Sequence, residues 1–396
     1  MIQIEDKKDC CGCTACAAVC PKQCIEMESD NEGFCYPRVD TAKCIYCGAC
    51  ERVCPIRNQR KEVHVPQKAY LVQHKDKQVR IDSSAGGAFT AIATYVLAKG
   101  GAVFGAAYDE NFQVRHTYVE NTDELRKFRN SKYVQSDMGD CFRQVRDFLR
   151  SGRWVCFSGT PCQIEGLSRF LGRLYENLVL VDVVCHGIPS PLVWNKYLEY
   201  QKVSEDKPDN IRFRDKFYGY KYSTMSLIKG GKNVYHAGSQ LDPMLRAFFT
   251  DTCDRPSCYD CPVKKRYRVS DMTIWDCFSV YDFDKTMDDD KGTTRVLCHT
   301  EKGAEIMQEL GSIARCKEIE PDKLVSGVKE MFESVPMNPK REQFFEDAGN
   351  LSGAELFEKY YPITTKTKIK TAVRKVLLTT GAYGAAKKYL NKLRGR

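Results

Sequence analysis

The chain has 396 residues, of which 42% are hydrophobic and 29% charged, which fits a globular protein of two or three domains with ample core. Its net charge of +9 is concentrated: Thr364 to Arg396 carries ten Lys or Arg and no acid, and the remainder holds 51 basic against 52 acidic residues. A body so balanced gives no global case for nucleic-acid binding.

No apolar core follows the N-terminal MIQIEDKKDCCGC, so it does not read as a signal peptide. No stretch approaches the ~18 uninterrupted apolar residues of a membrane span. The 21 cysteines are odd in number and spaced like ligands rather than like a disulfide framework. Together these predict a reducing cytoplasm.

Residues 1–60 carry the strongest motif. Cys10, Cys13, Cys16 and Cys20 precede Pro21, and Cys44, Cys47, Cys50 and Cys54 precede Pro55. Both runs read C-x2-C-x2-C-x3-C-P, and two in tandem describe a dicluster [4Fe–4S] ferredoxin module. In such runs the fourth cysteine ligates the other cluster. The first cluster is therefore assigned Cys10, Cys13, Cys16 and Cys54, and the second Cys44, Cys47, Cys50 and Cys20. Zinc is the competing reading, but eight ligands in ferredoxin spacing weigh against it. Cys11, Cys24 and Cys35 fall outside the pattern and read as packing residues or spare thiols. Ile25–Val39 reads as a hairpin between the cluster loops, and Asn58–Lys68 as a linker.

From Ala69 the texture turns α/β. Ala69–Gln73, Ala102–Tyr108, Trp154–Ser158 and Leu178–Val184 read as strands. Ala88–Lys99, Thr122–Arg129, Met138–Ser151, Gln163–Leu171 and Pro191–Gln201 read as helices. This alternation predicts a sheet covered on both faces, with ligands beyond the strand ends, at the loops beginning with Ser83, Gly159 and Cys185. Residues 209–300 read as mixed and β-rich, and those beyond 300 as mainly helical.

Cys162 and Cys185 each follow a strand, and Cys258 and Cys261 sit in a loop. Strand-end loops converge on one sheet edge, so these four predict a third [4Fe–4S] site, with Cys253 as a reserve ligand. Zinc, or redox-active thiols without metal, are the alternatives. Cys141, Cys156, Cys277, Cys298 and Cys316 read as core. His186 is the candidate proton donor, with a satisfied structural histidine as its plainer reading. No phosphate-binding loop and no strand-following G-x-G-x-x-G occurs.

Behind the ferredoxin module run SSAGGAFTAIA, SKYVQS, SGTPCQIEGL, VDVVCHGIPSP, RPSCYDC, RVSDMTIWD and DDDKGTT. Their joint order resembles the coenzyme F420-reducing hydrogenase/dehydrogenase beta-subunit family, in its bacterial form with a fused ferredoxin. The resemblance implies an iron–sulfur flavoprotein oxidoreductase that binds FAD and a cluster in its second domain. It implies Ser83, Ser84, Gly86, Gly87, Lys132 and Thr160 around the flavin, and Cys162, Cys185, Cys258 and Cys261 as cluster ligands. Ala85 stands where the family more often has a polar residue.

The expected organisation is a dicluster ferredoxin domain over 1–60, an α/β flavin and iron–sulfur domain over 69–310, a helical extension over 311–363 and a basic tail over 364–396. Electrons would pass between ferredoxin or another redox protein, the clusters, FAD and a small-molecule two-electron substrate that the sequence does not name. Such clusters suit an anaerobic host. Two rivals stand beside this reading: an electron-transfer subunit of a larger complex with no substrate site, and a zinc-dependent regulatory protein. Two short amphipathic helices are expected in the tail, at Ile369, Val373, Val376 and Leu377 and then at Ala386, Tyr389, Leu390 and Leu393. They read as solvated helices packed on the body, or as contacts to an anionic membrane surface or an acidic partner.

Overall fold

The computed structural model describes residues 1–383. The N-terminal segment folds around an antiparallel hairpin, β1 (Ile25–Ser29) and β2 (Cys35–Val39), in which Ile25 faces Val39. Two short helices flank it, Ala15–Val19 and Ala49–Arg52. Cys20 caps the first, and Cys54 follows the second by one residue, so each fourth cysteine is carried away from its own loop.

The next strands are β3 (Lys68–His74), β4 (Ala102–Tyr108), β5 (Val114–Val119), β6 (Val155–Gly159) and β7 (Leu178–Val183). An antiparallel three-stranded sheet follows, made of β8 (Asn210–Asp215), β9 (Thr224–Lys229) and β10 (Lys232–Gly238). The chain then returns through β11 (Met272–Asp276), β12 (Thr294–Cys298) and β13 (Ala314–Ile319). The large sheet has the order β13-β3-β12-β11-β7-β6-β4-β5. Its centre is parallel, β11 to β7 to β6 to β4, and antiparallel pairs close both sides.

The apolar run Leu178–Val181 shows why the centre is buried on both faces. Successive side chains point to opposite sides of a strand. Val179 and Val181 join the core beneath the helices Ala88–Ala98 and Glu301–Glu309. Leu178 and Leu180 join Phe104, Phe157 and the helices Cys141–Arg150 and Pro161–Leu171 on the other side.

Three local expectations change. The segment at Thr122–Arg129 is a 3-10 helix over Asp123–Phe128 rather than an α-helix. A short helix, Lys77–Asp82, stands between β3 and Ser83, so the Ser83 loop follows a helix rather than a strand. Beyond residue 300, where helix is the expected texture, β13 forms an edge of the large sheet. Its charged residues Arg315, Lys317 and Glu318 hide the strand pattern, because only part of an edge strand needs burying.

The ferredoxin module docks on this body through polar straps. Arg255, 1% exposed, donates to the carbonyls of Cys10 (2.7 Å) and Cys35 (2.9 Å) and to Gln135 Oε1 (2.8 Å), and lies 4.3 Å from the Tyr36 ring centroid. Arg143 donates to the carbonyls of Ala17 and Ala18. Gly166 sits against Cys13, where any added Cβ would lie 2.8 Å from both Cβ and Sγ.

At the other end, the helix Thr365–Thr379 leaves Ile369, Val373 and Val376 exposed. The second expected tail helix, from Ala386 to Leu393, lies outside the described residues. No helix among the described residues is long and apolar enough to cross a membrane.

Candidate metal centres and cofactor cleft

Cysteine spacing and helix placement bring the N-terminal thiols into two groups. Cys20 lines one small cavity with Cys44, Cys47 and Cys50, and Cys24 joins them with its sulfur 3.4 Å from that of Cys20. Backbone N–H groups point at sulfur there: Ile2 N lies 3.2 Å from Cys50 Sγ and Tyr46 N 3.4 Å from Cys44 Sγ. This loop faces outward, with Cys47 exposed and Tyr46 and Ile45 at 66% and 55% exposure. The other group, Cys10, Cys13, Cys16 and Cys54, is half-buried or buried, with no member exposed. Cys16 is pushed up to about 12 by burial and by the nearby Cys10 and Cys54.

Deeper in the body, Cys162, Cys185, Cys258 and Cys261 line one cavity walled by Ile56, Pro161, Ile188 and Val263. Cys162 starts the helix Pro161–Leu171, whose N-cap Thr160 and Gln163 form a capping box. Cys185 follows β7, and Cys258 ends the short 3-10 turn Pro256–Cys258. Burial pushes the Cys185 and Cys258 thiols well up, so ligation there must displace protons. The donor set suits a cluster better than one ion. Among the described residues, three His, Cys, Asp or Glu ligand atoms lie within 4.8 Å of one another only at His186, Asp251 and Asp254. The cysteine sulfurs are thus spread wider than a single tetrahedral zinc, with Zn–S of about 2.3 Å, would hold them.

For two cysteines the structure changes or adds to the expectation. Cys253 is fully buried in an aromatic core and does not line this cavity, so it is no reserve ligand there. Cys11 packs against the core, as expected, but it has a second neighbour. It lines the cavity beside Cys162, and its thiol is raised by a hydrogen bond with Cys13 and by burial while Cys162 lowers it. Cys11 therefore stands between a ligand candidate of the first cluster and one of the third. Spacing within its own run gave no signal of this.

A cleft of about 600 Å³ opens at the C-terminal ends of β6, β7 and β11. That edge of a parallel sheet is where such folds bind ligands. Ser83, Ser84, Gly87, Lys132, Thr160 and His186 all line it. Gly86 does not. Its N–H donates to Thr294 Oγ1 at 2.8 Å and its carbonyl accepts from His74 N, so it holds the turn against the sheet and offers no anion donor. A Cβ there would lie 2.1 Å from the Val72 carbonyl, which is why the position is glycine. Ser84 Oγ accepts from Ser131 N at 2.7 Å, joining the two loops that flank the cleft.

The lining also contains residues that motif reading passed over: His116, Arg129, Arg214, Phe248, Trp275 and Arg295. His116 is pushed down to about 4 by burial. Its Nε2 faces the Ser158 carbonyl at 3.0 Å and so carries the hydrogen, leaving Nδ1 to accept from Ser136. Burial likewise pushes Lys132 down to about 7. Trp275 Nε1, Arg129 Nε, Arg214 Nη2 and Arg295 Nε are buried and have no partner. Unspent N–H donors beside aromatic rings suit a large anionic ring system, and the volume is in the range of roughly 300–1,000 Å³ usual for cofactor sites. Asp276, by contrast, is engaged by Arg214 at 2.8 Å, and Arg268 is buried on Asp182 at 3.3 Å.

The cysteine cavity and the cleft share a wall, Cys185-His186-Gly187-Ile188. Paired cysteine runs, a mixed sheet and this adjacency define an iron–sulfur protein of electron transfer, and residues 9–58 match the 4Fe-4S dicluster domain. Residues 69–142 match the N-terminal part, and 152–323 the C-terminal part, of the coenzyme F420 hydrogenase/dehydrogenase beta subunit. The chain belongs to that family. It is similar to a chain of the xenon-derivatised F420-reducing [NiFe] hydrogenase complex from Methanosarcina barkeri, at 16% identity and a TM-score of 0.42, covering 76% of this chain and 91% of that one. No curated protein matches.

Proposed function

We infer that the protein is a flavin-dependent iron–sulfur oxidoreductase that joins a one-electron donor or acceptor to a two-electron substrate. The shared wall between the four-cysteine cavity and the cleft carries this reading, because a centre in one would lie directly beside a cofactor in the other. A flavin bound in the cleft would supply the exchange between single electrons and electron pairs.

The chain's own residues fit the parts. Cys44, Cys47, Cys50 and Cys20 would hold the outermost cluster, next to the exposed Ile45 and Tyr46, where a redox protein would dock. Cys10, Cys13, Cys16 and Cys54 would hold the next. Cys162, Cys185, Cys258 and Cys261 would hold the third, with Cys11 bridging the gap to it. Ser83, Ser84, Gly87, Thr160 and Lys132 would bind FAD, and the buried cleft wall would keep water from the reacting face. Coenzyme F420 or another small hydride carrier is the class of substrate that such a site serves.

Anaerobic purification with joint measurement of iron, sulfide, flavin and visible spectrum tests this. About twelve iron atoms, four for each of three cubanes, and one FAD per chain are expected. Eight irons without flavin would reduce the protein to an adaptor for a larger complex.

A further inference from the structure

Beside the shared wall lies a group that the electron path does not use. His186 Nε2 is 2.7 Å from Asp251 Oδ1. The rings of Phe248 and Phe249, 4.8 and 6.1 Å away, fix the imidazole. Asp254 faces this pair: one ligand atom from each of the three lies within 4.8 Å of the others.

Asp254 is the independent observation. It is fully buried, and both carboxylate oxygens lack any hydrogen-bond partner. The neighbouring cations are spent elsewhere. Lys264 Nζ donates to the carbonyls of Cys185, His186 and Glu330. Arg341 is bound to the Glu32 carboxylate and to the Asp254 main-chain carbonyl. Gly187 presses the carboxylate from behind, where an added Cβ would sit 2.7 Å from it. A buried carboxylate without donors is strongly unfavourable unless paired or bound to a metal.

We propose that His186, Asp251 and Asp254 form a binding site for one first-row divalent cation at the edge of the cleft. Two carboxylates and a neutral imidazole balance its charge, and the mixed oxygen and nitrogen set suits Mn²⁺, Fe²⁺ or Zn²⁺. Three protein ligands leave coordination open, as in catalytic rather than structural sites. His186 lines the cleft, so the open side can take water or an oxygen of a bound substrate. The site is separate from the cysteine sets and stands whether or not the cleft holds a flavin.

The test uses the full chain, purified without oxygen with its clusters in place. Mn²⁺ is titrated in and followed by electron paramagnetic resonance with the clusters oxidised, and Zn²⁺ is added as competitor. One saturable Mn²⁺ per chain, displaced by Zn²⁺, is expected. Asp254→Asn and Asp251→Asn should each weaken it by at least about tenfold with iron content unchanged. Asp251 is the less buried ligand, so its variant decides the matter if Asp254→Asn does not fold. Absence of saturable binding in the parent chain, or unchanged affinity in the variants that fold, overturns the site and means that Asp254 is simply protonated.

Discussion

Lys132 shows how a single buried charge tunes the cleft. Burial lowers its pKa to about 7. The sign follows directly. Folding must shed a proton or bury a charge below the free lysine range, so Lys132 costs stability at low pH and less as pH rises toward 10.5. An anionic ligand beside it reverses the bias and raises its pKa. Binding of FAD to the flavin-free protein should therefore take up a proton above about pH 7 and weaken as pH rises to about 9, by no more than tenfold per pH unit. Lys132→Met should flatten that profile, as read by quenching of flavin fluorescence. Lys132 was legible only through family resemblance, and nothing in its own sequence marks it as buried. The place of Cys11 beside Cys162 was hidden for a related reason: Cys162 belongs to a helix far along the chain.

At the scale of elements, the helix Pro161–Leu171 does three jobs. It opens on Cys162, closes the sheet face over Phe157 and Leu180, and receives the ferredoxin module at Gly166. Gly166→Ala should destabilise the protein by about 1–3 kcal/mol, because the methyl group would lie 2.8 Å from Cβ and Sγ of the short, buried Cys13 side chain. Gly349→Ala is the matched control, since it is also helical and nothing lies within 4 Å of an added Cβ. Denaturant unfolding of the two variants should separate them. The central strands and their covering helices were readable because burial on both faces leaves continuous apolar runs. The edge strand β13 was not, because an edge carries little apolar pattern; the helix expected over Thr122–Arg129 is there, as a 3-10 helix over Asp123–Phe128.

For the whole molecule, the question is what keeps the ferredoxin module from swinging free of the body. Arg255 answers much of it, since its guanidinium ties two module carbonyls to Gln135. Arg255→Met leaves those part-buried acceptors without their donor, at a cost of about 1–3 kcal/mol. Limited proteolysis should then cut the segment 58–67 at least several-fold faster than in the parent chain; equal rates would show that the other straps suffice. The iron–sulfur character was plain from spacing alone. The cleft was not, because its walls come from many separate stretches, from Ser83 to Glu330, that only the sheet topology gathers.

The outward face of the Cys44–Cys50 loop has a last consequence. An opening that admits an electron also admits oxygen. Tyr46 and Ile45 stand in solvent there, whereas Cys162, Cys185, Cys258 and Cys261 sit behind the docked module. On the proposed electron route, iron at the outer loop would be attacked first in air, and its loss would cut the cleft off from external reductant while the inner thiols are still intact. The exposed loop would then be a fuse as well as an inlet.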